Sequence, residues 1–182
     1  MGCRTSTDHS SASMMRIREQ GRAGGLWSAR RLLHNKMGER VRRVPRAPPA
    51  TSNAARLAMR GNTRTDTKPE MAVRKLLYRL GYRYRLHAIE LPGTPDVVFH
   101  RWKVALFVHG CFWHQHPSSR CRLRSMPRSN IEYWSAKLAR NVERDAEHRA
   151  ELKALGWRML TVWECETLDP YGLERKLRSF LP

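Results

Sequence analysis

The sequence is short of several things, and each shortage excludes a class of protein. No run of about 18 apolar residues occurs in its 182 residues, so a transmembrane helix is not expected. No apolar stretch follows the N-terminus as a secretory signal would require, so export is not expected either. Cysteine is scarce, four in all, which is too few for a disulfide-stapled secreted scaffold and directs attention to metal ligation. Acidic residues are few as well: 16 Asp and Glu stand against 35 Lys and Arg, leaving a formal charge of +19. Such an excess suits a polyanionic partner, and nucleic acid is the commonest one. No internal repeat is visible. Hydrophobic content of 41% is sufficient for one core, so wholesale disorder is not expected.

The charge is unevenly spread. Residues 1–50 carry +8 of the total, are rich in Ser, Arg and Gly, and end in the Pro-rich run VPRAPPATS. Leu26, Trp27, Leu32 and Leu33 show no sustained period there. Residues 1–54 read as a basic, disordered extension, with two alternatives: a transit peptide, or a true translation start at Met37 or Met59. Residues 55–182 read as the folded domain.

Within that domain Thr67-x-x-Glu70 forms a capping-box pattern, with Pro69 in the first turn. Val73, Leu76, Leu77 and Leu80 follow at helical spacing, and Gly81 is a natural stop. YRYRLH alternates like a half-buried strand; DVVFH and VALFVHG read as buried strands after the LPGTP turn and after RWK. Residues 109–128 are irregular. A second capping pattern, Ser129-x-x-Glu132, opens a long helix to Leu155, closed by Gly156. WRMLTVWE is a last strand, and Pro170 starts a terminal helix. The order α-β-β-β-α-β-α predicts an α/β fold, a mixed central sheet flanked by helices.

Two clusters carry chemistry. HGCFWHQHPSSRC holds Cys111, His116 and Cys121, and Cys165 ends the last strand. Three thiolates and an imidazole make a closed tetrahedral set suited to structural Zn²⁺, with no open position for catalysis at that metal. An irregular loop of this length also needs a clip. The alternative is that Cys165 is a small buried hydrophobe and His116 a plain loop residue. Cys3 lies apart, in the extension. The second cluster begins at Asp96, held on a rigid Pro-Gly turn, where a single carboxylate could bind Mg²⁺. The neighbouring strand should bring the Val108 carbonyl and His109 beside it. His109 and His114 could move protons near neutral pH. Taken alone, Asp96 reads first as a turn former; the grouping of acid, histidines and metal ligands within about 25 residues favours chemistry.

LPGTPDVVF, FVHGCFWHQH, NIEYWSAKLARNVERD and GWRMLTVWEC, in this order over residues 56–166, resemble the Vsr-type very short patch repair endonucleases. HGCFWH together with VWEC is a specific pair. The resemblance implies a restriction-endonuclease-like fold, a variant of the PD-(D/E)xK nucleases: Pro95-Asp96 is present, and no acidic-x-Lys pair follows on the next strand. It implies a Mg²⁺-dependent enzyme that nicks double-stranded DNA 5′ to the thymine of a T·G mismatch left by 5-methylcytosine deamination. Asp96 would bind the metal with the Val108 carbonyl, His114 would be the general base, His109 would contact the reacting phosphate, and Glu70 would orient the site. Zn²⁺ would sit on Cys111, His116, Cys121 and Cys165, and Phe112, Trp113 and Trp134 would enter the DNA beside the mismatch.

Such chemistry needs an activated water and positive charge on the phosphate, from Mg²⁺ and a protonated histidine. Aromatic wedges unstack base steps and recover energy by stacking. Two departures stand out: Val108 replaces a threonine of some members, and the His116–Cys121 interval is longer, so His114 and His116 could exchange roles. The expected protein is a cytoplasmic, nucleoid-associated monomer, away from membranes, with mismatch-repair factors and a DNA polymerase as candidate partners. Two other functions fit the residues less well: a zinc-stabilised DNA-binding module without catalysis, and a restriction-type nuclease reading modified DNA.

Overall fold

The computed structural model describes residues 44–49, 52, 53, 56, 57, 63 and 65–182. The extension expected over 1–54, with Cys3, Met37 and the four apolar residues named above, therefore lies almost wholly outside the described residues, as does Met59.

From residue 65 the elements follow the predicted order. Helix α1 (Lys68–Arg79) starts at N-cap Thr67, whose hydroxyl accepts the Glu70 amide at 3.4 Å. The reciprocal half of the capping box is displaced by one residue: the Glu70 carboxylate accepts the Asp66 amide (3.0 Å) and the Thr67 hydroxyl (2.8 Å). Strands β1 (Arg85–Leu86), β2 (Val97–Phe99) and β3 (Val104–His109) come next, then α2 (Ile131–Ala154), β4 (Arg158–Trp163), a 3-10 turn at Glu164–Leu168, and α3 (Pro170–Phe180). The sheet order is β1-β2-β3-β4; the first two pairings are antiparallel, and β3 with β4 is parallel. The mixed α/β expectation holds.

Alternation along the strands divides the core between two faces. Val104 and Leu106 of β3 point with Val97, Phe99 and Val162 toward Val73, Leu76 and Leu77 of α1 and Leu173 and Leu177 of α3. Ala105 and Phe107 point the other way, toward Leu152 of α2. Each buried Leu or Val of this kind contributes about 1.5–3 kcal/mol of transfer free energy. The outer edge of β4 is partly covered by side chains: Lys176 Nζ donates to the Thr161 carbonyl (2.9 Å) and Glu166 accepts the Trp163 amide (2.8 Å). That blunts the edge against pairing with another chain.

Two expectations need correction. YRYRLH gives only a two-residue ladder, because His87 takes a left-handed conformation (φ 48°) and ends it. Tyr82 and Tyr84 do turn inward as the alternation predicted, meeting Phe99 edge-on at 6.0 and 6.2 Å. The capping box at Ser129 does not form. Asn130 is the N-cap, in the left-handed region (φ 53°) that asparagine tolerates, and it makes no side-chain capping bond. Gly81 and Gly156 close their helices as expected, both at positive φ.

Candidate active site

Asp96 stands at the mouth of β2, delivered by the LPGTP turn. That turn needs its glycine: Gly93 has φ +74°, and a Cβ there would lie 2.7 Å from His148 Nδ1 on α2. The close approach seats the turn on α2 and fixes where β2 begins. Asp96 Oδ2 accepts the Val108 amide at 2.7 Å, tying the acid to the neighbouring strand just before His109. Burial, together with the nearby Glu70 carboxylate, pushes Asp96 up to about 6 despite that hydrogen bond. A carboxylate so placed is one that a bound cation would stabilise.

Glu70 is 4% exposed and reaches this site from α1. Its Oε2 accepts from Arg74 Nη2 at 3.0 Å, and the same guanidinium meets Asp66 Oδ1 (2.5 Å) and His87 Nε2 (3.1 Å). Asp66, Glu70 and His87 bring ligand atoms within 4.8 Å of one another, but Arg74 already supplies their cation.

His109 closes β3, 8% exposed, and stacks on His114 with ring centroids 3.9 Å apart and planes 12° from parallel. His114 Nδ1 lies 2.5 Å from Asp145 Oδ2. With Nδ1–H donated to the carboxylate, His114 keeps the Nε2 lone pair free to take a proton. Burial and then the adjacent His114 lower His109 to about 3. Desolvation thus favours the neutral form of that ring.

The loop from Gly110 to Cys121 gathers the thiols. Cys111, Cys121 and Cys165 bring their sulfurs within 4.8 Å of one another, all as free cysteines. The Cys165 amide donates to Cys111 Sγ at 3.4 Å, and Glu164 accepts the Cys111 amide at 3.1 Å. Three converging thiols fit a thiophilic ion such as Zn²⁺. His116 is on the same loop but does not join this group: its ring meets Trp163 at 4.6 Å, and its Nδ1 accepts the Ser118 amide at 3.1 Å.

Phe112, Trp113 and Trp134 assemble into one exposed-edge cluster, with centroids 4.9 to 6.0 Å apart. All three are half-buried and belong to neither core cluster. Lys137 Nζ lies 5.5 Å from Trp113 and 5.4 Å from Trp134, and Asn141 Nδ2 donates to the Trp113 carbonyl at 3.0 Å.

Asp145 and the Asp66–Arg74–His87 set escaped the sequence reading. The signal for Asp145 was present, since NVERD ends on it, but nothing in spacing pairs it with His114 31 residues earlier. The Arg74 set joins residues whose grouping depends on how α1 packs against the start of β1.

Asp96 at the mouth of β2, the His114–Asp145 pair and the three thiols beside the ends of parallel β3 and β4 make an arrangement suited to hydrolysis of a charged substrate. Comparisons with known proteins make this specific. The family model described as "DNA mismatch endonuclease Vsr" matches residues 50–120. A type II nicking enzyme of Xanthomonas oryzae pv. oryzae, V.XorIIP, is 51% identical over 116 residues, 64% of this chain and 83% of that protein. The DNA mismatch endonuclease Vsr of Escherichia coli K12 is 41% identical over 128 residues, 68% of this chain and 80% of that one. The type II nicking enzyme V.NaeI of Lentzea aerocolonigenes is 47% identical over 127 residues, 66% and 74% respectively. The chain belongs to the Vsr family, and it is a DNA endonuclease, a hydrolase of phosphodiester bonds in the mismatch-repair class. Among the described residues no helix is long and apolar enough to cross a membrane.

Proposed function

We propose that the enzyme nicks duplex DNA 5′ to the thymine of a T·G mismatch, with Mg²⁺ at Asp96 and Zn²⁺ as a structural clip. The observation that carries the reading is the His114–Asp145 pair stacked on His109, beside a half-buried aromatic cluster. His114 accepts a proton from the attacking water at Nε2, and Asp145 orients the ring and stabilises the imidazolium that results. His109, neutral and buried, donates a hydrogen bond to a non-bridging phosphate oxygen. Asp96 and the Val108 carbonyl offer oxygen ligands on two adjacent strands, and Glu70, clamped by Arg74, orients them. Mg²⁺, when bound, neutralises charge developing on the phosphate.

Cys111, Cys121 and Cys165 would hold Zn²⁺ with His116 as fourth ligand. Binding through either ring nitrogen gives up the Ser118 contact. The pairing of His114 with Asp145 favours it for proton transfer and leaves His116 for the metal. Phe112, Trp113 and Trp134 would enter the stack beside the mismatch, where a weakly stacked wobble pair lowers the cost of opening. The restriction-endonuclease-like arrangement and a monomeric state belong to the same reading.

The test is strand nicking with Mg²⁺ on duplexes that differ only in T·G, C·G or methyl-C·G at one position. A single nick 5′ to the mismatched thymine, abolished by Asp96→Ala without loss of binding, is the expected result. Equal cutting of C·G, or full-rate cutting by Asp96→Ala, would overturn it.

A further inference from the structure

Helix α2 carries a row of polar residues one turn apart: Lys137, Asn141, Asp145, Arg149 and Lys153. The first two meet the aromatic cluster and the third holds His114. Arg149 and Lys153 use neither side chain in any hydrogen bond or ion pair among the described residues. They border a groove of about 580 Å³ between the C-terminal half of α2 and β4. Its walls include the rings of Trp157 and Trp163, and no carboxylate lines it. Its floor includes Thr161, whose buried hydroxyl has no partner. Arg158 adds a third cation, fixed over the Phe180 ring at 4.5 Å and bonded to the Phe180 carbonyl at 2.9 Å.

The groove is continuous with the reaction centre. Trp163 lines it and also touches His109, with centroids 5.4 Å apart. Four helical residues advance about 6 Å, so Arg149 and Lys153 stand about 6 and 12 Å beyond Asp145 along α2.

We propose that Arg149, Lys153 and the groove between α2 and β4 bind the DNA backbone on one flank of the scissile phosphate, on the side away from the aromatic cluster. This deepens the DNA-nicking reading above and rests on it. Two unpartnered cations, a third fixed beside them, and a lining free of carboxylate suit successive phosphates and no other obvious occupant. The surface reads no bases; it sets the register in which the strand crosses His109 and His114.

The test is Arg149→Ala/Lys153→Ala in the full chain, with mismatched duplex binding measured by fluorescence anisotropy over a range of salt. Each lost phosphate contact lowers the log–log salt slope by about 0.9, which corresponds to roughly eightfold weaker binding at 0.1 M salt relative to a 1 M reference. The slope should therefore fall by about 1.8. Arg83→Ala/Arg101→Ala, which removes equal charge beyond the opposite edge of the sheet, should leave the slope unchanged. Shortening the duplex on one flank should weaken wild-type binding more than binding by the α2 double variant. An unchanged slope in that variant, or an equal drop in the control, overturns the proposal. Wild-type protein that neither binds nor nicks duplex DNA would instead overturn the underlying reading.

Discussion

His114 Nδ1 and Asp145 Oδ2 lie 2.5 Å apart, joining the cysteine-bearing loop to the middle of α2 across 31 residues of sequence. The contact fixes the tautomer and the plane of His114, and the stack on His109 fixes its height. Burial alone would raise Asp145, but the hydrogen bond and charge of His114 outweigh it and leave the carboxyl below its ordinary value.

Asp145→Asn should keep the shape and lose the orienting charge. Single-turnover nicking is expected to fall by roughly 10²–10⁴-fold, while mismatch binding stays within about threefold. A wild-type rate in this variant would remove His114 from the role of base. Stability follows the sign of the shift. A carboxyl with a lowered folded pKa stabilises above its unfolded value, near 3.9, and that contribution is lost as pH falls through the folded value. Thermal melts of wild type and Asp145→Asn should differ at pH 6 and converge as the pH drops below about 4.

Metal removal bears on the thiol clip. Native mass spectrometry should find one zinc per chain, and none in Cys111→Ser or Cys165→Ser. Strong chelators should lower Tm, because binding energy at such a site is folding energy. Retention of one zinc by Cys111→Ser would exclude the proposed ligand set.

The aromatic cluster and the core should answer differently to truncation. Trp134→Ala and Phe112→Ala remove half-buried rings and should cost mismatch affinity by about 1–3 kcal/mol each, with a small change in Tm. Leu106→Ala, in the fully buried face of β3, should cost about 2–5 kcal/mol of folding stability. Large Tm losses at Trp134 with intact DNA affinity would assign that ring to packing.

Gly93→Ala tests how the turn positions Asp96. The substitution combines a positive φ with a Cβ 2.7 Å from His148 Nδ1, so a loss of about 1–3 kcal/mol is expected. His148→Ala should recover part of it by making room; the φ strain remains.

The order of elements is legible in the chain, because apolar spacing, Pro69, Pro170 and the helix-closing Gly81 and Gly156 act within a few residues of themselves. The sequence also placed Asp96 at a strand mouth and grouped Cys111, His114, His116 and Cys121 on one loop, since those positions are local. Its capping pattern at Ser129 failed for an equally local reason, the left-handed Asn130 that enters α2. Pairings across the fold were decided only by tertiary structure. Asp145 reaches His114, Arg74 ties Glu70 to Asp66 and His87, and Cys165 closes on Cys111 because parallel β3 and β4 end side by side with α2 packed over them. The state of His109 belongs to the same class. A histidine in a sequence has an ordinary pKa, and only burial beside a second imidazole lowers it.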